Sequence, residues 1–117
     1  MAFKFENLRV WQKSVELTDE IYKLTEKFPK EEMFGLSSQI RRAANSIVLN
    51  IAEGASGNTN AEFKRFLVMA ARSCAEVISC LHLAKRRTYI TDNEFSSAYL
   101  KTEEVYKMIN KLKVTLK

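Results

Sequence analysis

The stretch Asn60–Arg87, NAEFKRFLVMAARSCAEVISCLHLAKRR, sets Phe63, Leu67, Ala70, Cys74, Val77, Leu81 and Ala84 at alternating steps of four and three. That spacing is a heptad seam. It turns one apolar line of a helix toward neighbours packed nearly parallel or antiparallel, at about +20°. Thr59-Asn60-Ala61-Glu62 just before it has the spacing of a capping box, in which the threonine hydroxyl accepts from an otherwise unpaired N–H. A helix of this length needs long partners, and the rest of the chain supplies them.

Helix-breaking residues fall at three places: Phe28-Pro29, Gly54-Ala55-Ser56-Gly57-Asn58 and Arg87-Thr88-Tyr89-Ile90-Thr91-Asp92. Three interruptions leave four segments. The first, about Leu8 to Phe28, repeats Leu8, Trp11, Val15, Thr18, Tyr22, Thr25 and Phe28 at helical steps. Asn7 is placed to cap it, and Pro29 forces the preceding residue out of helical geometry. The second, about Leu36 to Glu53, aligns Leu36, Ile40, Ala43, Ile47 and Ile51, with Gly54 as a left-handed C-terminal cap. The fourth, from about Asp92, opens on a second capping box, Thr91-Asp92-Asn93-Glu94. It continues with Phe95, Tyr99, Val105, Tyr106, Ile109, Leu112 and Leu116.

Long amphipathic helices joined by short connections give an all-α, antiparallel, up-down-up-down four-helix bundle. A helical hairpin exchanged between protomers has the same sequence pattern. With 117 residues, 46% of them hydrophobic, the chain suffices for a single domain over residues 1–117, with no stretch left for a linker. One proline and three glycines are too few turn formers for an all-β sandwich. No apolar run approaches the roughly 18 residues of a membrane span, and the first residues are unlike a signal peptide. The expectation is a soluble, cytoplasmic protein. Two cysteines, Cys74 and Cys80, are too few for a disulfide framework.

Catalytic chemistry finds no foothold. Di-iron bundles need Glu-x-x-His on two helices, but the single histidine, His82, has Ser79 three residues before it. Cys74 and Cys80 do not make the Cys-x-x-Cys pair of zinc or redox sites. Glycine-rich phosphate loops and nucleophile elbows are missing as well. The expectation is no enzyme, no catalytic residue, no metal and no cofactor.

Two features call for a function. Gln39, Arg42, Ser46, Asn50 and Glu53 form a polar stripe beside the apolar face of the second helix. Buried, it would fix register between helices, with Arg42 and Glu53 needing partners such as Glu76; otherwise it would serve a ligand or a protomer contact. The second feature is the placement of charge. Of a net +5, residues 58–90 hold +4, from six basic residues against Glu62 and Glu76. Lys85, Arg86 and Arg87 compensate a helix dipole locally, but Lys64, Arg65 and Arg72 do not. With Arg41 and Arg42 they could form a phosphate-binding surface, sensitive to salt and blind to sequence.

The same residues carry a resemblance. Phe5-Glu6-Asn7-Leu8-Arg9-Val10-Trp11-Gln12-Lys13, Phe28-Pro29, Phe34-Gly35-Leu36, Ser38-Gln39-Ile40-Arg41-Arg42-Ala43 and Asn50-Ile51-Ala52-Glu53-Gly54 resemble the four-helix-bundle proteins of 23S rRNA intervening sequences. That family includes the accessory variability protein of diversity-generating retroelements. The resemblance runs from Phe3 to Leu116 and implies a basic, barrel-shaped homopentamer of bacterial origin that meets nucleic acid. Two positions depart from it. Val48 stands where the family often has proline, and Arg72-Ser73 where it often has Gly-Ser, which would hold helices apart there.

The resulting expectation is a homo-oligomer binding structured RNA or DNA through Arg41, Lys64, Arg65, Arg72, Arg86 and Arg87, with Arg42 structural. The rival is a scaffold that docks on a protein, such as a reverse transcriptase or ribosomal factor, through Trp11, Phe34 and Tyr89, since buried aromatics dominate such interfaces.

Overall fold

A computed structural model, describing residues 2–117, contains four α-helices: α1 (Arg9–Thr25), α2 (Leu36–Ala55), α3 (Asn60–Arg86) and α4 (Asp92–Thr115). Single 3-10 turns at Lys4–Asn7 and Lys30–Glu32 precede α1 and α2. Each helix packs on its neighbours in sequence, and α1 closes on α4. Contacts run in opposite directions along every pair. Ser46 meets Ser73 while Gly54 meets Phe63 and Phe66. Lys13 pairs with Glu104 and Lys27 with Glu94. The result is the antiparallel bundle expected, 43 × 22 × 21 Å.

The seam of α3 forms the wall of the core: Leu67, Ala70, Cys74, Val77, Leu81 and Ala84 are all buried. Against it lie Leu36, Ile40, Ala43, Ile47 and Ile51 of α2, all likewise buried. Burial pushes the Cys74 thiol up to about 12, so it stays protonated and behaves as a small apolar side chain. The α4 capping box forms in full, and the α3 one only by half, without the return bond to Glu62. The Glu62 N–H donates to the Thr59 hydroxyl at 3.1 Å, and Thr91 and Glu94 complete a reciprocal box.

Four expectations give way. Asn7 does not cap α1: it closes the first 3-10 turn, and Leu8 takes the N-cap position without a side-chain bond. The core line of α1 is Val10, Ser14, Leu17, Ile21 and Leu24, one residue away from the anticipated stripe. Ser14 hid it. Its fully buried hydroxyl donates to the Trp11 carbonyl at 2.7 Å, so a polar residue sits in the core without an unmet bond. In α4 the same disguise recurs. Thr102, also fully buried, donates to Ala98 O, and Ala98 and Thr102 take core positions while Tyr106 lies exposed.

Gly54 is the third. It is buried inside α2, which continues to Ala55, and no glycine among the described residues has positive φ. A Cβ there would stand 2.7 Å from the Phe66 Cβ and 3.0 Å from the Phe63 ring, so the missing side chain is what lets α3 approach. The left-handed position belongs instead to Thr88 (φ 60°), just past α3, where the Tyr89 N–H returns to Ala84 O at 2.9 Å.

The last concerns apolarity. By length and composition α3 is apolar enough to cross a membrane, as the core helix of a bundle also is. In the bundle it packs on both α2 and α4, with its seam in the core and only Met69 and Leu83 among its large apolar side chains exposed.

Candidate nucleic-acid interface

Arg65, Arg72 and Arg86 stand on the outer face of α3, all exposed. Separations of seven and fourteen residues keep them in one row, spaced about 10 and 21 Å along the axis. None has an ion-pair partner among the described residues. Elsewhere Lys13, Lys27, Lys85, Lys101 and Lys107 each meet a carboxylate, while Arg9, Arg42 and the remaining lysines are, like the row, in no ion pair among the described residues. Glu76 lies four residues after Arg72 but forms no ion pair with it. The guanidinium donors of the row are open to solvent.

The remaining candidates do not join it. Lys64, one position before Arg65, points about 100° away and is half-buried. Arg87 is engaged at the end of the bundle, 3.6 Å from Glu32. Arg41 faces α1, donating through Nε to the Thr25 hydroxyl at 2.7 Å and through Nη2 to Tyr22 O at 3.4 Å. Its guanidinium also lies 4.4 Å above the Tyr22 ring. Spacing along the chain does not reveal this, because its partners lie 16 and 19 residues away.

The polar stripe of α2 divides. At its centre the Ser73 hydroxyl donates to Ser46 at 2.9 Å, and the Asn50 amide donates to the Ser46 hydroxyl at 2.9 Å and its carbonyl at 2.8 Å. This fixes the register of α2 against α3. Gln39, Arg42 and Glu53 are exposed, and neither Arg42 nor Glu53 pairs with Glu76. The Arg72-Ser73 departure does not hold helices apart: Arg72 points to solvent and Ser73 makes the contact.

Of the three aromatic anchors, Trp11 packs edge-on against Phe5 and Tyr89 packs on Phe28. Phe34 alone is open, at 93% exposure. His82 is exposed, edge-on to Phe95 at 4.9 Å, with no carboxylate partner among the described residues.

A polar cluster at the α1–α2 turn escaped the sequence altogether. Glu32 accepts from the Leu36 N–H at 3.0 Å and the Tyr89 hydroxyl at 2.9 Å, with Arg87 beside it. Those contacts, the Leu36 N–H first, hold its carboxyl below the ordinary value of 4.5. The unfolded chain takes up that proton more readily, so the stability conferred is complete above about pH 4.5 and is lost as pH falls through the lower folded value. Glu32→Gln is expected to flatten the acid limb of melting temperature against pH; an unchanged limb would contradict the assignment.

A family described as 23S rRNA-intervening sequence protein matches residues 6–111. Among solved structures, the chain is similar to a protein of unknown function from the S23 ribosomal protein family of Bacteroides thetaiotaomicron VPI-5482. The identity is 29%, covering 91% of this chain and 99% of that one, with a TM-score of 0.84. A comparison with curated proteins gives no match.

Proposed function

The chain belongs to the 23S rRNA-intervening sequence protein family, and from that premise we propose that it is a non-enzymatic, cytoplasmic homo-oligomer that binds structured RNA or DNA through its phosphates. One observation carries the reading: Arg65, Arg72 and Arg86 form an exposed row along one helix, without carboxylate partners among the described residues. Guanidinium forks match phosphate oxygens, and a row about 30 Å long, slanting by about 60° around the helix, suits a duplex backbone more than a compact ligand. Contacts of this kind position a nucleic acid without reading its sequence.

Assembly is supported by the groove between α3 and α4. Ile78, Tyr99 and Tyr106 line it, and exposed Leu100 continues it beside His82 and Phe95. Covering that surface with a second copy would explain why so apolar a helix as α3 is only one-third buried over its most apolar window. A ring would also repeat the arginine row, raising the effective concentration of phosphate contacts. The protein-docking alternative keeps one anchor, Phe34, and a single side chain does not make a hot-spot cluster.

The native mass in solution tests the assembly. A particle of several times 13.5 kDa, near fivefold as the family resemblance implies, which gains mass on adding an RNA duplex, is expected. A monomer unchanged by the duplex would contradict the proposal.

A further inference from the structure

Arg41 sits in a groove between the end of α1 and the start of α2 that also takes in Tyr22, Phe34, Ser37, Ser38 and Asn45. Three neutral contacts clamp it: the Thr25 hydroxyl, the Tyr22 carbonyl and the Tyr22 ring. The ring is fixed in turn, since the Asn45 amide donates to the Tyr22 hydroxyl at 2.8 Å. A guanidinium has five N–H donors, so Arg41 keeps three unspent, already oriented and with no carboxylate partner among the described residues. Ser37 lines the same groove; its hydroxyl makes no hydrogen bond among the described residues and reaches solvent, so it is free to donate to an anion there. Lys30, Arg42 and Glu26 complete the charged rim, three cations with Arg41 against one carboxylate.

Beside this anion seat stands Phe34, the most exposed large apolar side chain described. An open aromatic face next to a fixed guanidinium and two hydroxyls combines the two elements that hold single-stranded nucleic acid: a base-stacking platform and a backbone contact. We infer that this groove takes one nucleotide of a single-stranded segment, its phosphate on Arg41, Ser37 and Ser38 and its base stacked on Phe34. The inference rests on reading the chain as a nucleic-acid binder, but on side chains separate from the α3 row. One bundle then carries a duplex face and a seat for an unpaired nucleotide, as a stem flanked by a loop or free end would require.

Fluorescence anisotropy of the full chain with a labelled ten-nucleotide oligouridine and a labelled RNA duplex separates the two. Phe34→Ala removes only exposed surface, and Ser38→Glu puts a carboxylate in the anion seat at a helix start where it does not harm folding. Each is expected to weaken oligouridine binding about fivefold or more, the lower end for one base–aromatic stack, with duplex affinity unchanged. Arg65→Glu with Arg72→Glu should do the reverse. Oligouridine affinity unmoved by both groove variants, or no oligouridine binding by the wild type, would overturn the inference while leaving the duplex face standing. Loss of native mass in Phe34→Ala would also overturn it, by making the groove a protein contact.

Discussion

Replacing Arg65 and Arg72 together by glutamate is expected to weaken binding of an RNA duplex about a hundredfold in 0.1 M salt, with little change in melting temperature. Each phosphate contact releases condensed counterions worth roughly eightfold in affinity at that salt concentration. Two lost contacts account for about sixtyfold, and repulsion between the new carboxylates and phosphates adds the rest. Stability is spared because both side chains are exposed and neither is in an ion pair among the described residues; such substitutions usually stay within about 0.5 kcal/mol. Glu76, four residues beyond Arg72, would meet a like charge in the variant, at a few tenths of a kcal/mol. Arg87→Glu should behave in the opposite way. Its contact with Glu32 joins the end of α3 to the α1–α2 turn, so that change lowers stability and leaves duplex affinity nearly intact. A double variant that binds duplex as well as the wild type would remove α3 as the phosphate face.

Gly54→Ala carries the second large effect, and its sign is the informative part. Inside an exposed helix, alanine in place of glycine stabilises by about 1 kcal/mol through propensity alone. At Gly54 the added Cβ would lie 2.7 Å from the Phe66 Cβ, an atom fixed to the α3 backbone that cannot swing aside. Relief requires moving α2 from α3, with overpacking costs of about 1–3 kcal/mol. The contact wins, and a net loss of melting temperature of several degrees is expected. Gly54→Val, with two further methyl groups, should lose more. Thermal unfolding followed by circular dichroism measures both. A gain in stability for the alanine variant would mean that the helices are not in close contact there.

The bundle was legible because its apolar periodicity is strong where it matters most. The α3 seam and the α2 face needed no revision, since both consist of apolar residues at helical steps. Misreadings came from single polar residues whose bonds are local. Ser14 and Thr102 satisfy their hydroxyls on their own helices and so pass as core residues, something spacing alone does not reveal. Gly54 was misassigned for a related reason: a glycine near a helix end has the same sequence signature whether it caps or permits contact. The candidate site was half legible. Spacing put Arg65, Arg72 and Arg86 on one face, but it could not tell free cations from engaged ones. Arg41 meets Tyr22 and Thr25, and Arg87 meets Glu32, across helix boundaries far apart in sequence.

Duplex affinity measured against salt tests the central claim most directly. Three arginines on phosphates predict that log K falls with log salt at a slope of roughly −2.7 for each protomer engaged, about fortyfold weaker binding at 200 mM than at 50 mM. Several protomers on one duplex would steepen it further, and Arg65→Glu with Arg72→Glu should flatten it. Affinity constant between 50 and 200 mM would contradict phosphate binding by the α3 row.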